Sequence, residues 1–87
     1  MKKFNQNNAK QIGTDLNINW KEINLSEFTK GLNVELEHGS KDPQTNVTDN
    51  DRKLTGEIAW AHLKEFPDYY TRLAKMEKVA KAHFKNV

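Results

Sequence analysis

Apolar residues recur at intervals of three and four along most of the chain, and no segment alternates with period two over the length of a strand. That pattern gives helices an apolar stripe and leaves a sheet without an inward face. The expected fold is all-α, a compact three- to four-helix bundle with a short N-terminal helix and three main helices. At 87 residues the chain is read as one domain, residues 1–87, with a core within 5–85 and a loop at 39–50.

The helix ends are written in cap residues. Asn5 is placed to cap a first helix over residues 6–16, with Ala9, Ile12 and Leu16 on its apolar stripe and Gly13 weakening it. Asn17 is a suitable left-handed stop, after which Ile18, Asn19 and Trp20 form a bend that turns Trp20 toward the other helices. Asn24 and Glu27 have capping-box spacing, and Ile23 and Phe28 are spaced as a hydrophobic staple. The second helix is therefore expected to run to His38 and to end at Gly39. Its stripe is Leu25, Phe28, Leu32 and Leu36, with Ser26, Lys30, Asn33 and Glu37 pointing away.

Residues 40–50 carry turn chemistry and no period, so they read as an ordered loop anchored by Val47. The third helix starts after Asp49 or Asp51 and runs to Phe66. Leu54, Ile58 and Ala61 on one side, with Ala59, Leu63 and Phe66 on the next, imply a central, largely buried helix. Pro67 interrupts it and suits the first turn of a fourth helix. There Tyr69, Tyr70, Leu73, Met76, Ala80 and Phe84 form the core stripe, opposite Lys75, Lys78 and Lys85.

Composition matters here because the core is thin: Leu, Ile, Val and Phe make up 19 of the 87 residues. Polar side chains projected inward therefore stand out, since a buried carboxylate costs several kcal/mol unless a partner compensates it. Glu35 lies close to Phe28 on the wheel, Glu65 close to Ile58 with His62 one turn earlier, and Glu77 on the stripe of the fourth helix. Glu35 with His38, and His62 with Glu65, form a Glu-x-x-His and a His-x-x-Glu pair. Residues three apart share a helix face, so two antiparallel helices could bring two nitrogens and two oxygens to one divalent metal, zinc, manganese or iron. Asp68 would then be an outer partner, with Tyr69 or Tyr70 nearby. The alternative requires no cofactor. Glu35 pairs with His62 or a tyrosine hydroxyl, Glu65 accepts from free amides at the start of the fourth helix, and His38 is a last-turn residue favourable to the helix dipole.

With no cysteine, disulfide scaffolds and thiolate zinc modules are excluded. No segment approaches the roughly 20 apolar residues of a membrane helix, and residues 1–6 are not followed by an apolar signal core, so a cytoplasmic protein is expected. Asn46-Val47-Thr48 matches a glycosylation sequon, but without a secretion signal it carries no weight. A calcium loop opening at Asp49 is rejected because Leu54 and Trp60 stand where Gly and Glu are needed. Nucleophile elbows and phosphate loops are lacking, so the chain leans away from enzyme chemistry. Residues 71–87 carry +4 and the rest −2, a basic end on a mildly acidic body. A protein partner is the first expectation. Nucleic acid is a weaker one through Lys75, Lys78 and Lys85, with Trp60, off the main apolar arc, as an interface residue.

Val34-Glu35-Leu36-Glu37-His38-Gly39, Thr45-Asn46-Val47-Thr48 and residues 61–70, which read AHLKEFPDYY, together resemble a family of small bacterial and bacteriophage proteins classed as a domain of unknown function. The likeness spans residues 8–80. It implies a short intracellular domain often carried on mobile elements, and brings no activity, substrate or cofactor. It singles out Glu35, Glu37, His38, His62, Glu65, Asp68, Tyr69 and Tyr70. Arg52 stands where a helix-starting proline is expected in such proteins, and Trp60 where a smaller aliphatic residue is usual.

Overall fold

The computed structural model describes residues 3–41, 44 and 51–85, the side chains at 38–41 and 85 excepted. Four helices follow one another: α1 (Gln6–Asp15), α2 (Leu25–Lys41), α3 (Arg52–Glu65) and α4 (Tyr69–Lys85). The described residues contain no strand. The expected helical bundle, a short N-terminal helix followed by three longer ones, is the observed fold. Of the expected 40–50 loop, Ser40 and Lys41 belong to α2 and Gln44 lies in a turn; the rest, with Val47, lies outside the described residues.

Asn5 starts α1 through a reciprocal capping box: its Oδ1 accepts from Asn8 N at 2.8 Å, and Asn8 Oδ1 accepts from Asn5 N at 3.1 Å. The helix ends as expected on Asn17, whose φ is 65°. Ile18 N donates to Gly13 O at 2.9 Å and Asn17 N to Thr14 O at 3.0 Å, the double bond of a Schellman stop. Asn19 then turns the chain, accepting from Lys21 N on its side chain. Trp20 packs edge-on against Phe28, 5.7 Å between centroids.

Asn24 caps α2 by accepting from Glu27 N at 3.0 Å, whereas the Glu27 carboxylate is used elsewhere. Gly39 does not end α2, which continues to Lys41; no described glycine has a positive φ. Glycine permits the left-handed turn without requiring it, and a helix carries one at a cost of only about 1 kcal/mol. Asn33, expected to face away, is half-buried and exchanges bonds with the Phe4 backbone, accepting at 2.7 Å and donating at 3.0 Å.

Asp51 caps α3, accepting from Leu54 N at 2.9 Å. Pro67 lies before α4 rather than in its first turn. Tyr69 N donates to Phe66 O at 2.9 Å, so Pro67 occupies the second position of a β-turn, where its fixed φ is favoured.

The expected central α3 does pack against all three other helices, as does α2, but the more extensive contacts are those of α2. Its Phe28 and Leu32 join Ala9, Ile12, Leu16, Ile18, Ile23, Ala59, Leu63 and Tyr70 in the core. On α3 only Thr55, Gly56, Ala59 and Leu63 are buried; Leu54 and Phe66 are exposed. On α4 the expected stripe is covered at Tyr69, Tyr70 and Leu73 but open at Met76 and Phe84, 59% and 71% exposed. The first turns of α4 meet α2 and α3, and the remainder runs past them. Close approach of the helices depends on missing side chains. A Cβ on Gly31 would strike the Tyr70 ring, and one on Gly56 would meet Ile12 at 2.8 Å and Leu16 at 2.9 Å.

Candidate functional site

Glu27, Glu35, His62 and Tyr70 meet where α4 begins, between α2 and α3, whereas the fully buried Thr55 donates to Asp51 O at 2.6 Å in the first turn of α3. Glu27, Gly31 and Glu35 follow at intervals of four along α2 and so share one face. The small Gly31 lets the Tyr70 ring lie against the helix, with a carboxylate one turn to either side. Tyr70 is 2% exposed, and its hydroxyl donates to Glu35 Oε2 at 2.9 Å. His62, half-buried on α3, places Nδ1 3.2 Å from that hydroxyl and 3.6 Å from Glu35 Oε2. A phenol has one proton to give, and here it goes to Glu35. His62 Nδ1 must therefore carry hydrogen and donate to the Tyr70 oxygen, so polarity runs from imidazole to phenol to carboxylate. Tyr69 completes the enclosure by stacking on the His62 ring, 4.5 Å between centroids and 13° from parallel.

Glu27 forms the second half of the cluster. It is 8% exposed, and its two carboxylate oxygens accept from Thr71 N at 2.8 Å and Thr71 Oγ1 at 2.6 Å. Thr71 stands in the first turn of α4, where amides lack intrahelical acceptors, so α2 caps α4 across the helix contact. A carboxylate at that end also complements the helix dipole. Lys30 Nζ lies 3.6 Å from Glu27 Oε2 at the rim. The role foreseen for Glu65, accepting from amides at the start of the fourth helix, belongs instead to Glu27; Glu65 is exposed. The face formed by Glu27, Gly31 and Glu35 was the available signal, masked by the reading of Glu27 as a partner of its own cap.

Burial pushes the Tyr70 phenol well above its ordinary value of 10.0, and the Glu35 carboxylate beside it adds to the shift. The hydroxyl is thus held neutral. At ordinary pH it is a committed hydrogen-bond donor rather than a proton acceptor or nucleophile.

The other candidate residues lie apart from this cluster. Asp68 is exposed, and its two oxygens share the Arg72 Nε–H, at 2.9 and 2.8 Å, which holds its carboxyl below the usual value. Glu77 is half-buried, while Glu37, Lys75 and Lys78 are exposed. Trp60 is half-buried with Lys64 Nζ 4.1 Å from its ring. Among the described residues no group of three or more His, Cys, Asp or Glu side chains could hold a metal ion. Glu65 therefore does not join Glu35 and His62 as a ligand set, and the His38 side chain lies outside the described residues. No helix among the described residues is long and apolar enough to cross a membrane.

Comparison with protein families matches residues 9–79 to the model described as protein of unknown function (DUF5661). The chain belongs to this family. Its DUF5661 segment contains Glu27, Glu35, His62, Tyr70 and Thr71, and ends within α4, short of Phe84. Neither the curated proteins nor the solved structures gave a match.

Proposed function

We propose that this DUF5661 chain is a non-enzymatic helical interaction module, in which the Glu35, His62 and Tyr70 chain and the Glu27 cap fix the start of α4 so that the rest of that helix can be presented to a protein partner. One observation carries the reading: the polar groups at the start of α4 are satisfied by one another, while Met76, Val79 and Phe84 farther along are 59%, 70% and 71% exposed. A buried network of this kind specifies geometry, and its phenol, committed to Glu35, is not free to act as acid or base. Uncovered apolar side chains are what a partner buries. The reading places the protein in the cytoplasm of a bacterium or in a bacteriophage-infected cell. Its support there is the family resemblance and a cysteine-free composition.

Elemental analysis and chemical denaturation, performed on protein purified without chelator, test the proposal. The expected result is a Glu35→Ala variant destabilised by about 1–3 kcal/mol, the cost of leaving buried donors unsatisfied, with no stoichiometric metal in either protein. A stoichiometric zinc, manganese or iron that is lost on replacing His62 by alanine would overturn it in favour of a divalent-metal protein.

A further inference from the structure

We infer that α4 binds the phosphate backbone of duplex nucleic acid, without regard to sequence, through the face opposite its exposed apolar residues. That face is separate from the one offered to a protein partner above. At about 100° per residue, Thr71, Ala74, Lys75, Lys78, Lys81, Ala82 and Lys85 fall within an arc of about 120°, and no other residue of α4 does. The arc therefore carries lysine, alanine and threonine alone, while Leu73, Met76, Ala80 and Phe84 lie on the far side. Ala74, Lys75, Lys78 and Lys81 are all exposed. The three lysines form no ion pair among the described residues. Acids stand only at the edges: Asp68, near Lys75, is taken up by Arg72, and Glu77 lies about 40° beyond Lys81. Residues 71–87 still hold a net +4. Helix α2 extends the row, because Lys30 Nζ lies 3.5 Å from Thr71 Oγ1 at the head of the arc, with Glu27 Oε2 at 3.6 Å. Beyond it Lys3 and Lys30, with Ala74 and Glu37, help to line an open cleft of about 600 Å³ between α2 and α4.

The residues between the lysines decide which polyanion fits. At about 1.5 Å per residue, Lys75 to Lys85 spans about 15 Å, long enough to follow several phosphates of a duplex, which carries one charge per about 1.7 Å of its axis. Alanine and threonine between them let a backbone approach closely. No arginine, asparagine, glutamine or aromatic residue stands on the arc. Bases are therefore not read at their edges, and a single strand finds no stacking platform. An acidic protein surface fits less well, because protein interfaces bury an apolar centre and the arc offers nothing larger than alanine. An anionic membrane fits less well too. Inserting Met76 and Phe84 would turn the lysines away from the headgroups.

The test is fluorescence anisotropy on the full chain with two labelled DNA duplexes of unrelated sequence, read between about 50 and 200 mM salt. Both are expected to bind with a Kd between about 1 and 100 µM near physiological salt, and within about twofold of each other. Lys75→Gln, Lys78→Gln and Lys81→Gln together should weaken binding at least about tenfold and lower the slope of log affinity against log salt by about 3. The thermal melt should stay unchanged, since all three side chains are exposed. Lys10→Gln, Lys21→Gln and Lys53→Gln together remove the same charge from other elements and should cost less than about threefold. No saturation below about 1 mM at the lowest salt, equal losses from the two triple variants, or a preference above about tenfold between the duplexes would each overturn the site. Tighter binding of a single strand than of the duplex would overturn it as well. So would poly-glutamate or phosphatidylserine vesicles held through the same three lysines while the duplex stays unbound.

Discussion

Tyr70 joins three elements through one side chain: its ring fills the space over Gly31, its hydroxyl donates to Glu35, and the same oxygen faces His62. The folded state holds its phenol neutral, with the pKa raised above the ordinary 10.0. When the folded pKa is the higher, the folded state retains a proton that the unfolded chain has released, so stability is intact below the unfolded pKa and falls as pH rises beyond it. Urea denaturation from pH 8 to 11 should therefore show stability dropping above about pH 10. The drop should be shallower in Tyr70→Phe, which loses stability at neutral pH for want of the hydrogen bond. An unchanged slope would remove Tyr70 as the cause. Of these partners, Glu35 and His62 were legible from their places on helical wheels, and a tyrosine hydroxyl was among the acceptable mates. Glu27 was not, because its spacing from Asn24 offered a local explanation. Glu27→Ala should cost about 1–3 kcal/mol, since it leaves a buried amide and hydroxyl without acceptors. Glu65→Ala, on an exposed carboxylate, should fall within about 0.5 kcal/mol of wild type. Equal losses in paired denaturation curves would contradict the assignment of the α4 cap to Glu27.

Local chemistry at the element ends was the most readable part. Asn5, Asn17 and Asp51 act on amides or backbone angles within a few residues, and each does in the structure what its type and position suggest. Gly39 and Pro67 show the limit of that logic. Both residues tolerate several conformations near a helix end, and neighbours decided which: Gly39 is passed over, and Pro67 sits in the turn rather than in the helix. Gly31 has a role that only helix packing reveals, because its missing side chain admits Tyr70 against α2. Gly31→Ala raises helix propensity and in isolation would stabilise α2. In the bundle it should destabilise by about 1–3 kcal/mol through overpacking, with Tyr70 displaced from Glu35. A melting temperature equal to or above that of wild type would show that the ring yields freely.

Across the whole molecule, stability is concentrated on α2 and thins toward the end of α4. Leu63 is 1% exposed and lies in the core cluster, whereas Phe84 on the expected stripe of α4 is 71% exposed. Leu63→Ala should cost about 2–5 kcal/mol, while Phe84→Ser should stay within about 0.5 kcal/mol; comparable losses would mean that the end of α4 is packed after all. By itself the sequence determined that the protein is helical, where its first two helices begin, and which polar residues would need partners. Those properties depend on spacing, cap chemistry and desolvation cost, all of which act along the chain. The tertiary structure alone decided that α2 makes the most extensive contacts, that Glu27 rather than Glu65 caps α4, and that the apolar stripe of α4 is covered only at its start. A helical wheel tells which side chains share a face. How far a neighbouring helix extends along that face depends on the lengths and crossings of both, which no single helix encodes.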